Sequence, residues 1–506
     1  MAEGDESDKR RLVKNTLALY ARTAIAMVVG LVVTRVLLRQ LGEDAYGVYN
    51  VVAGVVVLFS FLNAGITQAI QRFLTFSLGK GEKADVTRVF STSIITQFII
   101  IVLLVALCET LGLWFIDTQM KIDASMLVPA RWAFQLSIAT FAVNFMRVSY
   151  ESAIIAYERM AFFAYAAIAD SLLKLGIVYL LAVSPADRLV FYCILLLAES
   201  MVMLLAYRWY CRSRFDTCRF TAGWNSKLFR EMLSFSGWNV LGSISNIISQ
   251  KGIVFLLNVF VGLVANAAMG IANQVNAAVT QFINSFQTSF RPQIVKAYAR
   301  GDHEYLRSLV FSTSKISFLL VCVPALIIIV NAPAILSVWL TEVPDYTVSF
   351  CRLITVCCVI DAVSGPYNCA ILATGTIRAY QIALTVSALV ELSLYYILLR
   401  AGVSASYVLY ARIFSRGILN MGIGLFFMRT LLDFPVRAYM LKVIGRIAVF
   451  LGLVLPGLCY MTAHLEGERL FLWSLPYICV AVVAVAVFVV LNPGERIRLR
   501  SMILRR

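Results

Sequence analysis

Apolar stretches long enough to cross a roughly 30 Å hydrocarbon layer as helices recur about fourteen times along this chain. Approximate spans are read at 13–38, 45–70, 89–115, 129–150, 160–183, 189–211, 232–258, 264–290, 313–340, 347–373, 380–400, 405–428, 443–463 and 470–491. Sixty per cent of the 506 residues are hydrophobic, more than a water-soluble core could hide. A chain dissolved in lipid must satisfy its backbone internally, and helices do so within each segment. The pattern predicts an all-α polytopic membrane protein.

Charge fixes its expected orientation. Of 44 Lys and Arg, 28 fall in alternate connecting segments and only Arg39, Lys121, Arg188, Arg400 and Arg469 fall in the others. The positive-inside rule then places the rich segments, both termini and the linker in the cytoplasm. The formal charge of +16 is therefore a topology signal, and no nucleic-acid partner is expected. The basic tail GERIRLRSMILRR reads as a leaflet contact. The first apolar stretch is too long for a cleavable signal and carries Arg22. No cysteine of the eleven falls in an outer loop, so neither disulfides nor metal sites are expected.

The chain resembles itself at an offset of about 217–221 residues. Phe90-Ser91-Thr92-Ser93 recurs as Phe311-Ser312-Thr313-Ser314, Lys80-Gly81 as Arg300-Gly301, and Phe61-Leu62-Asn63 as Phe282-Ile283-Asn284. AIIAYERMAFFAY (153–165) aligns without gaps with AILATGTIRAYQI (370–382). The offset spans six helices, an even number, so the halves share one orientation, the parallel-repeat arrangement of some transporters. The expected organisation is a six-helix lobe (1–211), a cytoplasmic linker (212–231), a second six-helix lobe (232–429), and two further helices with the basic tail (430–506).

No connecting segment is long enough for a catalytic domain. GKGEK at 79–83 lacks the spacing and the Ser/Thr of a phosphate-cradling loop, and the two histidines have no nucleophile nearby. The chain is expected not to be an enzyme and to need no cofactor.

The chemistry lies in polar side chains inside the spans. Asn239, Ser243, Asn246 and Gln250 form one helical face; Asn273, Asn276, Thr280, Asn284 and Gln287 form another, and Ser60, Asn63, Thr67 and Gln71 a third. Such stripes either hydrogen-bond neighbouring helices or line a wet cavity; the cavity is the preferred reading, because burying so many amides dry is costly. Intramembrane charges must face protein or water. Arg22, Arg147, Lys174, Lys251, Arg412 and Arg416 are candidates for an anion-binding cavity between the lobes. Arg412 and Arg416 stack with no acid at i±4, Arg22 has no helical carboxylate partner, and Asp170 and Lys174 are spaced to neutralise each other. Lys174 and Glu391 hold equivalent repeat positions with opposite charge. Asp361 and Glu391 are candidates for proton or sodium coupling, or else structural partners of nearby cations. Pro324, Pro333 and Pro366 are expected to interrupt the ninth and tenth spans, with Gly365-Pro366 a local break beside Asp361.

The stretch NTLALYARTAIAMVVGLVVTRVLLRQLGEDAYGVYNVVAGVV (15–56) resembles the opening of bacterial polysaccharide-unit flippases of the Wzx type. These belong to the multidrug/oligosaccharidyl-lipid/polysaccharide exporter superfamily. QRFLTFSLGKG (71–81), YERM (157–160) and ATGTIRAYQI (373–382) fit the same family, and the resemblance runs over essentially the whole chain. It implies alternating-access transfer of a polyprenyl-pyrophosphate-linked oligosaccharide from the inner to the outer leaflet of a bacterial cell membrane, for capsule, O-antigen or related polysaccharides. Membrane lipids and polysaccharide polymerase or assembly proteins are the implied partners. The rival readings are an ion-coupled multidrug or metabolite antiporter of the same superfamily and a non-transporting assembly scaffold.

Overall fold

The computed structural model describes residues 2–42, 45–49, 60–114, 126–183, 187–221, 225–340, 343–465 and 467–485. The basic tail, most of the 116–128 outer loop and linker residues 222–224 lie outside them. The described residues are helical, and nine helices among them are long and apolar enough to cross a membrane. The chain is an all-α, multi-pass membrane protein. It divides into two compact units, 1–243 and 244–506.

The first unit holds α1 (Ala2–Leu41), α2 (Ser60–Lys80), α3 (Lys83–Leu107), α4 (Leu127–Ala156), α5 (Met160–Leu180) and α6 (Arg188–Arg214). Helix α7 (Ser226–Phe260) carries the boundary between the units. In the second unit follow α8 (Leu263–Ala299), α9 (His303–Trp339), α10 (Thr347–Thr374), α11 (Arg378–Arg400), α12 (Ala405–Phe414) and α13 (Met421–Leu432). A short α14 (Val436–Tyr439) leads to α15 (Gly445–His464) and α16 (Gly467–Val485). Helices α2, α4 and α8 have spanning length but more polar faces, as the amide stripes require.

The internal repeat is visible in the helix ends. Gly81 and Gly301 both adopt left-handed φ, 83° and 70°, one residue before the acids Glu82 and Asp302 that precede α3 and α9. A side chain at that φ would be strained, so glycine is retained at both turns. Asp187 caps α6 through the amides of Leu189 and Val190, and Ser404, 217 positions on, precedes α12. Packing repeats as well: α4 lies against α2, α3 and α6, as α10 lies against α8, α9 and α12.

Small and polar groups hold helices together where lipid offers no hydrophobic gain on association. In the first unit Ser149 Oγ donates to Gln97 Oε1 at 2.6 Å, Gln97 Nε2 donates to the Phe145 carbonyl at 2.9 Å, and Ser93 and Ser149 hydroxyls meet at 2.8 Å. In the second unit Tyr439 Oη donates to Ser314 Oγ at 3.0 Å. The repeated Phe-Ser-Thr-Ser segments thus receive the chain leaving each sixth span. Thr221 N donates to Ser91 Oγ at 3.0 Å in one unit, and Phe434 and Tyr439 pack on Phe311 in the other. Large exposed apolar side chains such as Phe98, Leu103, Trp209, Phe255 and Val480 form the lipid-facing exterior.

Helix α9 departs from helical geometry at Asn331, between Pro324 and Pro333. The expected break at Gly365-Pro366 does not occur: α10 runs through Pro366 from Thr347 to Thr374. Gly365 serves close packing instead, with the Gln287 amide where a Cβ would stand. Proline inside a spanning helix is tolerated when neighbours satisfy the freed backbone groups.

Candidate functional site

Each unit contains a charged cluster within its spanning helices. In the first, Asp170 on α5 binds Lys174 one turn on (2.6 Å) and Arg147 on α4 (3.4 Å). The i, i+4 neutralisation expected for Asp170 and Lys174 is present, and the second cation comes from another helix. Glu199 on α6, 7% exposed, lies within electrostatic reach of Asp170, Lys174 and Arg147. Arg22 sits over the Phe163 ring at 4.6 Å, and Arg22 and Arg147 both act on Glu151. This is a cation–π contact on a greasy helix, with a carboxylate supplied from α4 rather than from its own turn.

In the second unit the acids are again on other helices. Arg416 binds Asp361 of α10 through Nη1 at 3.4 Å and donates from Nη2 to Asn246 Oδ1 of α7 at 3.0 Å. Arg416 lies in a short π-helical insertion, Ser415–Asn420, between α12 and α13. Such insertions recur at functional sites because they re-aim side chains within an otherwise regular helix. Glu391 of α11 is 2% exposed and accepts from Ser249 Oγ (2.6 Å) and Tyr395 Oη (2.5 Å). Arg412 is 4% exposed, and its Nε and Nη1 find no hydrogen-bond partner. The search at i±4 missed these acids because an interhelical pair leaves no local spacing in sequence.

The repeat relates a second pair of charged positions. At the offset of 217 that relates Lys174 to Glu391, Glu199 falls on Arg416. Lys174 acts on Glu199, and Glu391 acts on Arg416. Each unit therefore carries a cation and an anion at the same repeat positions of its fifth and sixth spans, with the polarity reversed.

The remaining candidates divide. Asn246 is a ligand of Arg416. Asn276 Oδ1 accepts from Cys358 Sγ at 2.9 Å, Asn63 Oδ1 accepts from Thr67 Oγ1 at 3.2 Å, and Asn239 is buried with its carbonyl accepting from Ser243. Gln250 is half-buried and Asn284 exposed. Lys251 is exposed and lines a cavity of its own with Val254, Phe255, Asn258, Val259 and Asn266. It does not join the Arg412–Arg416 cluster through any contact recorded among the described residues.

Residues 12–297 match the family model described as polysaccharide biosynthesis protein. The chain belongs to that family. It is 19% identical over 308 residues to EpsK of Bacillus subtilis strain 168, described as an uncharacterized membrane protein. The match spans 61% of each chain, so about three fifths of that relative's length is represented. Among solved structures, a MATE in the straight conformation superposes with a TM-score of 0.72 at 14% identity, covering 83% of this chain and 96% of the other. An outward-facing multidrug resistance MATE transporter of the MOP superfamily gives 0.70 at 16%, covering 83% and 96%. A MOP-superfamily transporter from Pyrococcus furiosus, reported with a binding pocket of reverse polarity, gives 0.71 at 15%, covering 84% and 96%. At these identities the likeness shows the fold. Family and fold together describe a multi-pass membrane protein of the polysaccharide biosynthesis family, with the fold seen in MATE structures.

Proposed function

We propose that the substrate is an oligosaccharide carried on polyprenyl pyrophosphate, moved from the inner to the outer leaflet of a bacterial inner membrane by alternating access. The observation that carries this reading is buried Arg412 and half-buried Arg416 one turn apart on the twelfth span, each with N–H groups that find no partner. Guanidinium is the side chain suited to phosphate oxygens, and it stays charged in a poorly hydrated site. Arg22, Arg147 and Lys174 of the first unit, Lys251 of the second, and the amides of Asn63, Asn239, Asn246, Gln250, Asn276 and Asn284 are proposed to supply further contacts to headgroup and sugar hydroxyls. With the outside positive, each negative charge carried outward gains about 2.3 kcal/mol per 100 mV. Asp361 and Glu391 hold arginine, serine and tyrosine partners, so coupling to a proton or sodium ion would have to compete with those contacts. No enzymatic step and no cofactor enter this cycle.

The charge asymmetry of the loops supports cytoplasmic termini. A cysteine in place of Asp117, in a background without reactive thiols, is expected to react with an impermeant maleimide from outside intact cells, and one in place of Gly223 only after permeabilisation. The reverse pattern overturns the orientation. For substrate, purified protein in liposomes is tested with lipid-linked oligosaccharide and with a fluorescent organic cation. Protein-dependent exposure of the saccharide to an external glycosidase, with no cation flux, is the expected result. Cation flux alone would make the chain an antiporter, and neither activity would leave an assembly scaffold.

A further inference from the structure

Three of the acids in these clusters, Asp170, Glu391 and Asp361, are held unequally. Asp170 has a 2.6 Å contact to Lys174 and a second cation, and its side chain is 18% exposed. Glu391 is 2% exposed, with two short donors on one oxygen. Asp361 makes a single contact of 3.4 Å to Arg416, and its side chain is 46% exposed while that of Arg416 is 14% exposed. Charge-assisted pairs normally close to about 2.7–2.9 Å, and the best arginine–carboxylate pairs are bidentate. The Asp361 contact is neither, and its exposed acid is solvated well enough to leave at little cost.

Donors without acceptors lie on the same stretch of helix as Arg416. Arg412 Nε, Arg412 Nη1, Arg416 Nε and Ser415 Oγ are all buried and unpaired, and all lie within one turn of the helix. A carboxylate offers two oxygens; a diphosphate offers several more, spread over a span that two guanidinium groups one turn apart can grip.

We propose that Asp361 is a built-in counter-anion of the arginine site, occupying Arg416 in the empty transporter and yielding it to the diphosphate of an arriving substrate. The inference rests on the reading of this cluster as an anion site and adds that the acid is a competitor of the ligand rather than a support for it. A displaceable carboxylate keeps Arg416 neutralised when no substrate is bound, and its return to the guanidinium assists release. The acid thereby sets affinity low enough for turnover.

The full-length protein in detergent, titrated calorimetrically with inorganic diphosphate, tests this. Wild type is expected to bind, and Arg412→Gln and Arg416→Gln to lose most of that binding. Asp361→Asn is expected to bind about tenfold more tightly, since the competing charge is gone. Asp361→Glu, whose longer arm closes better on Arg416, is expected to bind several-fold more weakly. The Glu variant keeps the test open should the Asn variant fold poorly. Arginine-dependent binding that is unchanged or weakened in Asp361→Asn, or unchanged or tightened in Asp361→Glu, overturns the counter-anion role and leaves the anion site standing. Absence of arginine-dependent binding in wild type and in both Asp361 variants removes the anion site itself.

Discussion

On the proposed function, Arg412→Gln is expected to cut outward transfer of the lipid-linked saccharide severalfold or more at subsaturating substrate while leaving a folded, inserted protein. Arg412 is 4% exposed, and two of its N–H donors have no partner in the protein. Such a group costs stability and is kept for what it binds, so the variant is expected to unfold at the same temperature or a higher one. Glu391 keeps the Ser249 and Tyr395 hydroxyls and is not left bare. The substrate, in contrast, loses a charge-assisted contact in a poorly screened site. A loss of order 2 kcal/mol is expected, about thirtyfold in binding. Arg412→Lys should be milder, since it keeps the charge and forfeits only the fork geometry. The measurement is outer-leaflet saccharide per folded transporter in vesicles. Unchanged turnover at both saturating and subsaturating substrate would remove Arg412 from the site.

The sequence disclosed the fold because its two strongest signals are one-dimensional. Spanning length and loop charge are read along the chain, and the recurrence of Phe90–Ser93 at Phe311–Ser314 ties the halves together at matching helix ends. The candidate cations were also legible, since an arginine within an apolar run is conspicuous. Their partners were not. Asp361 reaches Arg416 across 55 positions, and Arg147 reaches Asp170 across 23, so helical spacing carries no trace of either pair. The π-helical insertion at Ser415–Asn420 has no distinct composition, and Pro366 is no mark of a break, because α10 runs through it from Thr347 to Thr374. The reading of Arg412 and Arg416 as unpaired cations therefore changes. Arg416 is bound by an acid from α10, and Arg412 is buried with two N–H groups that find no partner.

The largest effect on stability is expected at the reversed pair of the first unit. Lys174→Glu alone would gather three acids, at 170, 174 and 199, around Arg147, in helices that water does not reach freely. The Lys174 side chain is 42% exposed, so the cost is less than that of breaking a fully buried pair, and this variant and Glu199→Lys alone should each insert less well and unfold earlier. The exchange Lys174→Glu with Glu199→Lys restores the charge balance and brings the relocated ammonium within reach of Asp170, which already lies beside position 199. The second unit argues that the fold accepts this arrangement, because there the acid, Glu391, is on the fifth span and the cation, Arg416, on the sixth. The double variant should recover more than half of the loss, a coupling of about 2 kcal/mol in a double-mutant cycle. Thermal midpoints and membrane yields of the four proteins read it directly. Additive losses would mean that Lys174 and Glu199 are independent neighbours, and the reversed polarity of the two lobes would then be a coincidence of position rather than a repeated clasp.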